Sequence, residues 1–119
     1  MKLAASLRYA LYGTLAALLA SGVAWLWWPG ASMRFHGAAA MVILILAGAA
    51  IAQHVGAGWR ERKNIASGVV LASALLALTI TGYLLYYAGE DRTQAIANVV
   101  HWIFGVAAPL VMVWHARVK

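Results

Sequence analysis

The chain has 119 residues, of which 65% are hydrophobic and only 10% are charged, and it contains no cysteine. This composition is far from that of a soluble domain, and the lack of cysteine excludes a disulfide framework and a thiolate metal site. The length limits the chain to one domain. The formal net charge of +6 alone would fit nucleic acid binding, so the positions of the basic residues have to decide what that charge means.

Four apolar segments are long enough to cross a bilayer as helices, which takes about 20 residues each. They cover residues 8–28, 35–56, 65–87 and 97–116. The polar breaks between them are residues 29–32, 59–64 and 89–94. Short connections make consecutive helices antiparallel neighbours. The sequence therefore predicts an all-α protein, a transmembrane up-down-up-down four-helix bundle in which residues 1–119 form a single four-span domain.

The first segment has some features of a secretory signal peptide, because Lys2 precedes an apolar stretch that reaches small residues at Ala20-Ser21-Gly22. The apolar part, however, continues through Trp25-Leu26-Trp27-Trp28. That is too long and too aromatic for the apolar core of a cleaved signal. We therefore interpret this segment as a true membrane span.

The basic residues are distributed unevenly between the two sides of the predicted bundle. On one side lie Lys2, Arg8, Arg60, Arg62, Lys63, Arg117 and Lys119. On the other side lie only Arg34 and Arg92, together with Glu90 and Asp91. Because positive residues stay on the cytoplasmic side, this pattern predicts cytoplasmic N- and C-termini. The excess of positive charge is thus a topology signal, and we expect no nucleic acid partner.

The two halves of the chain look alike. The first span ends in Ser21-Gly22 and an aromatic segment, and the third ends in Thr81-Gly82 and another. Each half then enters a span that carries two histidines. A two-plus-two repeat is one interpretation. The other is that small residues and interfacial aromatic residues recur in any membrane helix.

The chain has four histidines, His36, His54, His101 and His115, and all lie near the ends of the second and fourth spans. An ionisable side chain within a membrane is costly, and it indicates a function by default. In an ideal α-helix, the 18 residues from His36 to His54 place both on one face about 27 Å apart. The 14 residues from His101 to His115 leave them about 40° from a common direction and about 21 Å apart. Two histidines of one helix therefore cannot bind the same metal.

A six-coordinate haem iron binds two imidazole nitrogens on opposite sides, about 4 Å apart. Its ligands must come from different helices at equal depth, which pairs His36 with His101 at the outer face and His54 with His115 at the inner face. The sequence thus predicts two bis-histidine haems, one near each face. The unequal spacings leave a mismatch of about 6 Å, and a kink at Pro109 would absorb part of it. One haem, or none with the histidines bonded to carbonyls or lipid headgroups, are the alternatives.

Small residues share the histidine face of the fourth span. Gly105 lies one turn after His101, followed by Ala108 and Met112. A flat macrocycle needs a close approach to the backbone, so we predict that Gly105 contacts the cofactor. The alternative is an ordinary contact between membrane helices, which small residues also favour.

The segment Thr81-Gly82-Tyr83-Leu84-Leu85-Tyr86, followed by His101-Trp102-Ile103-Phe104-Gly105 and by His115, resembles the bacterial cytochrome b561-like and hydrogenase-type membrane cytochromes b. In that family a Thr-Gly-aromatic helix end precedes a helix with a histidine, a glycine one turn later and a second histidine. The resemblance implies haem b, the bacterial inner membrane, and electron transfer between a quinone and a periplasmic or membrane redox protein. The wider histidine spacing on the second span and the lack of a soluble extension depart from the family's pattern.

These patterns predict a transmembrane electron carrier with two haems, acting alone or as a subunit of a membrane oxidoreductase and in contact with lipid. Proton-coupled export, as in small four-span multidrug transporters, needs a carboxylate within the membrane. The acidic residues Glu61, Glu90 and Asp91 all lie in the predicted loops, so that class is largely excluded. A haem-free or single-haem anchor or assembly subunit of a larger complex is the remaining alternative.

Overall fold

The computed structural model describes residues 3–118, and its regular secondary structure is entirely helical within that range. The elements are α1 (Ala5–Ala24), α2 (Pro29–Ala50), a π-helical turn (Ile51–Val55), α3 (Gly56–Glu61), α4 (Ile65–Tyr87) and α5 (Asp91–Arg117). α2, the π-turn and α3 follow one another without a break and form one long helix over Pro29–Glu61. Lys2 and Lys119, two of the predicted cytoplasmic charges, lie outside the described residues.

Four helices are long and apolar enough to cross a membrane, namely Ala5–Ala24, Pro29–Glu61, Ile65–Tyr87 and Asp91–Arg117. The predicted all-α class with four membrane-length helices is therefore confirmed. Many large apolar side chains point outward, and Ile45 and Leu110 are 73% and 68% exposed. Apolar surface of this extent suits contact with lipid rather than with water.

All three predicted breaks are partly helical, and residues 59–61 of the middle one belong to α3. α2 begins at Pro29, because proline has a suitable φ and needs no N–H partner in the first turn of a helix. Residues 29–32, predicted as a break, thus form the first turn of α2. α5 begins at Asp91, whose negative charge is favourable at the positive end of the helix dipole. Residues 91–94 are accordingly helical as well.

The connection between α3 and α4 is a tight turn with two residues in the left-handed region. Arg62 has a φ of 52° and Asn64 a φ of 55°. Asparagine adopts this conformation more readily than most residues. The Asn64 side-chain amide also donates a hydrogen bond of 2.8 Å to the carbonyl of Val118. This bond ties the beginning of α4 to the end of α5.

The chain divides into two compact units between Lys63 and Asn64, and each is a helical hairpin. In the first hairpin α1 packs antiparallel to α2, and the buried apolar residues are Leu11, Leu15 and Ile43. In the second hairpin α4 packs antiparallel to α5, and the buried apolar residues are Ala74, Ala97, Ala108 and Met112. The alanines let the backbones of α4 and α5 approach closely, as small residues do between membrane helices.

Replacing Ala108 with leucine is expected to destabilise the second hairpin by about 1–3 kcal/mol, the usual cost of overpacking a tight interface. Ala108 is 0% exposed, so the larger side chain must push α4 away from α5. Denaturation of the purified protein in mixed micelles, followed by circular dichroism, measures the change. Ala95→Leu is the matched control, because Ala95 lies on the same helix and is exposed. An equal loss in both variants would contradict the close packing at Ala108.

Candidate functional site

Three histidines are each held by a hydroxyl group from the neighbouring helix of the same hairpin. The pairs are Ser21 Oγ with His36 Nδ1 at 2.9 Å, Thr81 Oγ1 with His101 Nδ1 at 2.8 Å, and Ser67 Oγ with His115 Nδ1 at 2.8 Å. Each bond therefore runs from α1 to α2 or from α4 to α5. One chemical arrangement thus occurs three times in the described chain.

The hydroxyl groups also form hydrogen bonds within their own helices, and these bear on the direction of the bonds to the histidines. Each hydroxyl also bonds a main-chain carbonyl of its own helix: Ser21 that of Leu18 at 3.1 Å, Ser67 that of Asn64 at 3.1 Å, and Thr81 that of Ala77 at 2.7 Å. A hydroxyl has one hydrogen, and a carbonyl can only accept. When the hydroxyl donates its hydrogen to that carbonyl, its oxygen accepts the hydrogen of Nδ1, and the lone pair of the imidazole is then on Nε2.

The three hydroxyl groups lie in the apolar helix interfaces. Ser21, Ser67 and Thr81 are 5%, 2% and 7% exposed, while their histidines are half-buried. In the described part of the chain every buried side-chain nitrogen or oxygen has a hydrogen-bond partner. Removing a buried hydroxyl takes one hydrogen-bond partner from the imidazole, which is costly in an apolar setting.

A glycine follows each of these hydroxyl residues and contacts the same histidine. A Cβ atom built on Gly22, Gly68 or Gly82 would lie 3.4–3.5 Å from the Cε1 atom of that histidine. An alanine there would touch the ring at ordinary contact distance, and a larger side chain would displace it. We refer to Ser21-Gly22, Ser67-Gly68 and Thr81-Gly82 as the Ser/Thr-Gly pairs.

The two Ser/Thr-Gly pairs on α4 have the same spacing in sequence as the two histidines on α5. The separation in sequence between Ser67 and Thr81 on α4 equals the separation between His101 and His115 on α5. Two antiparallel helices with equal spacings present two matching contacts. Thr81-Gly82 was predicted only as a helix end and Ser67 was not predicted as a site residue, although this equal spacing is the sequence signal that indicates it.

The equal spacing also bears on the expected kink at Pro109. α5 runs as one helix from Asp91 to Arg117 with Pro109 in its interior. His101 and His115 keep the same register against α4 on both sides of the proline. Within the second hairpin, Pro109 thus causes no change of register.

The first hairpin repeats the arrangement at one end. Ser21 near the end of α1 contacts His36 near the beginning of α2, as Thr81 near the end of α4 contacts His101 on α5. The sequence similarity of the two halves is therefore matched by equivalent contacts. This equivalence favours the two-plus-two repeat over a chance recurrence of small residues.

His54 lies in the π-turn and is half-buried. The expectation that it shares a face with His36 assumed an ideal α-helix over the whole stretch between the two histidines. A π-turn has wider i→i+5 hydrogen bonding, so it rotates the residues within and after it away from the ideal positions. Single π-turns inside α-helices are frequent at functional sites.

Gly105 lies against α4 rather than in open space. Its Cβ atom, if present, would be 3.9 Å from Leu78 Cδ2, and the nearby Ala108 and Met112 are buried. This side of α5, predicted to approach a macrocycle, thus includes residues that pack within the second hairpin. Contact between Gly105 and a cofactor stays a prediction.

The charged side chains near the helix ends make mostly local interactions. Lys63 forms an ion pair with Glu61 at 3.2 Å, and Arg34 donates a hydrogen bond of 3.3 Å to the carbonyl of Gly30. Among residues 3–118, no three His, Asp or Glu side chains form a metal-binding cluster. Axial ligation of a haem requires only two histidines, one on each side of the iron.

No family model, curated protein or solved structure matches the chain. The resemblance to bacterial membrane cytochromes b therefore stays a prediction from the sequence motifs.

Proposed function

We propose that the protein is a transmembrane electron-transfer cytochrome b that binds two haems, each between two histidines. The observation that best supports this is that His36, His101 and His115 each contact a buried hydroxyl of the neighbouring helix through Nδ1, which would leave Nε2 as the ring nitrogen that binds iron. A metal-bound histidine has this form, with one ring nitrogen on the metal and the other donating to a fixed acceptor.

The alternative role of an interfacial imidazole explains this arrangement less well. A histidine that bonds a lipid headgroup needs neither a buried hydroxyl nor a glycine at Cε1. Here three histidines, on two hairpins, have both. This repetition favours a function that depends on the orientation of the imidazole rings.

His36 and His101 are the proposed axial ligands of an outer haem, and His54 and His115 those of an inner haem. The pairing follows from the predicted depth of each residue along its span. When bound by two histidines, a haem iron is saturated and exchanges electrons rather than binding oxygen. The hydroxyl groups contact Nδ1 of His36, His101 and His115 and would leave the Nε2 atoms of these rings for the iron.

The cellular setting belongs to the same proposal. We place the protein in the bacterial inner membrane with both termini in the cytoplasm, because Arg60, Arg62 and Lys63 lie in the middle connection and positive residues stay on the cytoplasmic side. A quinone or a periplasmic or membrane redox protein would supply or accept the electrons. Arg34 and Arg92 on the opposite side have the charge that haem propionates require.

Absorption spectroscopy and haem quantification of the purified protein test this function. We expect a red protein with about two haem b per chain, a sharp α-band on reduction, and no spectral change with carbon monoxide, because both axial positions are filled. A colourless protein, expressed with ample haem supply, would refute the proposal and favour a haem-free anchor or assembly subunit. One haem per chain would refute the inner or the outer pair.

A further inference from the structure

We infer that Thr81 is a positioning residue for His101, setting the strength with which this histidine binds haem iron and the reduction potential of that haem. Ser21 and Ser67 have the same role for His36 and His115. This inference rests on the proposed function. It concerns residues that do not contact the iron and act only through the imidazole ring.

The hydrogen bond of Thr81 to its own helix directs its hydroxyl oxygen, rather than its hydrogen, toward the imidazole ring of His101. Its Oγ1 donates to the carbonyl of Ala77 at 2.7 Å, with Leu78 O at 3.3 Å, so its lone pairs face His101 Nδ1 at 2.8 Å. The residue is 7% exposed, so little water competes for the bond. A hydrogen bond in such a low-dielectric setting is electrostatically stronger than in water.

This bond has a defined consequence at the far side of the ring. Partial transfer of the Nδ1 hydrogen toward Thr81 increases the basicity of Nε2. A more basic ligand stabilises ferric iron more than ferrous iron, so the bond would lower the reduction potential of a haem bound by His101. The hydrogen bond also restricts rotation of the ring. The lack of a side chain at Gly82 lets Cε1 of the ring lie against the backbone of α4.

Thr81→Val is the informative variant, because valine keeps the shape of threonine and removes only the hydroxyl. We expect haem to bind about 10–100-fold more weakly at the outer site, the usual effect of losing such a partner, and its potential to rise. Thr81→Ser restores the oxygen and should restore both properties. Thr79→Val is the matched control, because exposed Thr79 makes the same kind of bond, to Leu75 O at 2.8 Å, on the same helix.

Haem transfer to an apoprotein acceptor gives the affinity, and a redox titration gives the potential. Nitrogen-15 NMR of the imidazoles, which needs no haem, reports the His101 tautomer directly. A Thr81→Val protein with wild-type haem affinity, potential and tautomer would overturn the inference while leaving the cytochrome function intact. If Thr81→Val does not fold, Ser67→Ala tests the same relation at His115.

The two proposals fail in different ways. A wild-type protein that binds no haem would refute the cytochrome function, and the inference about haem affinity with it. A haem-binding protein in which Thr79→Val shifts the potential as much as Thr81→Val would refute only the positioning role. A shift confined to Thr81→Val and reversed in Thr81→Ser would support it.

Discussion

Replacing His101 with alanine is expected to remove one haem and leave the other in place, so that the haem content per chain falls by about half. Alanine offers no nitrogen to the outer iron, while the proposed inner ligands His54 and His115 are unchanged. Pyridine haemochrome analysis of the purified variant measures the content. Asn98→Ala is the control, because Asn98 is an exposed residue one turn earlier on α5 and should not change it.

Double variants test the pairing itself. Because His36 and His101 are proposed to bind the same iron, the variant with both replaced should lose no more haem than either single variant. Replacing His101 together with His115 should remove both haems. A His101→Ala protein that keeps its full haem content, or loses all of it, would contradict the pairing by depth.

In sealed vesicles, the wild-type protein is expected to carry electrons from an external reductant to a trapped oxidant. His36→Ala and His54→Ala should each reduce this transfer to the rate of protein-free vesicles. Each variant removes one of two relay points in series, and the remaining gap spans much of an apolar layer of about 30 Å. The trapped oxidant is followed by its absorbance. Gln53→Ala is the control, because Gln53 is the exposed neighbour of His54 in the π-turn.

This experiment separates electron transport from cofactor binding. Variants that lose a haem yet pass electrons at the wild-type rate would contradict the transmembrane relay, although the haem sites would stand. A wild-type protein with two haems and no transfer would contradict it as well. In that event the haems would serve a partner on one side of the membrane only.

The helices were predictable because the length and apolar character of a span are local properties of the sequence. The prediction of residues 65–87 for the third span matches α4 (Ile65–Tyr87). The beginnings of α2 and α5 were not predicted, because Pro29 and Asp91 are both compatible with a loop and with a first helical turn. Hydropathy does not distinguish these two states, whereas the backbone geometry of proline and the helix dipole do.

The histidines were predictable as candidate ligands, since ionisable residues in apolar spans are few. Their hydroxyl partners were harder to find, because the contact of Ser67 with His115 joins residues 48 apart. Such a contact depends on the register between two antiparallel helices, which hydropathy does not determine. The π-turn at His54 was not predicted either, because it is a choice between two backbone hydrogen-bond patterns that the same side chains permit.

The two ends of the first hairpin differ in where they place their histidines, because one end contains the π-turn. Leu7 precedes Ser21 on α1 by the same number of residues as Ser67 precedes Thr81 on α4. In the register of the Ser21–His36 contact, the residue of α2 opposite Leu7 is Ala50. The second hairpin has Ser67 and His115 at that place, whereas His54 lies beyond Ala50, inside the π-turn. The hairpins are thus alike near their short connecting loops and unlike at the opposite ends. Under the proposed function, His54 would therefore be held by different contacts from its counterpart His115 in the second hairpin.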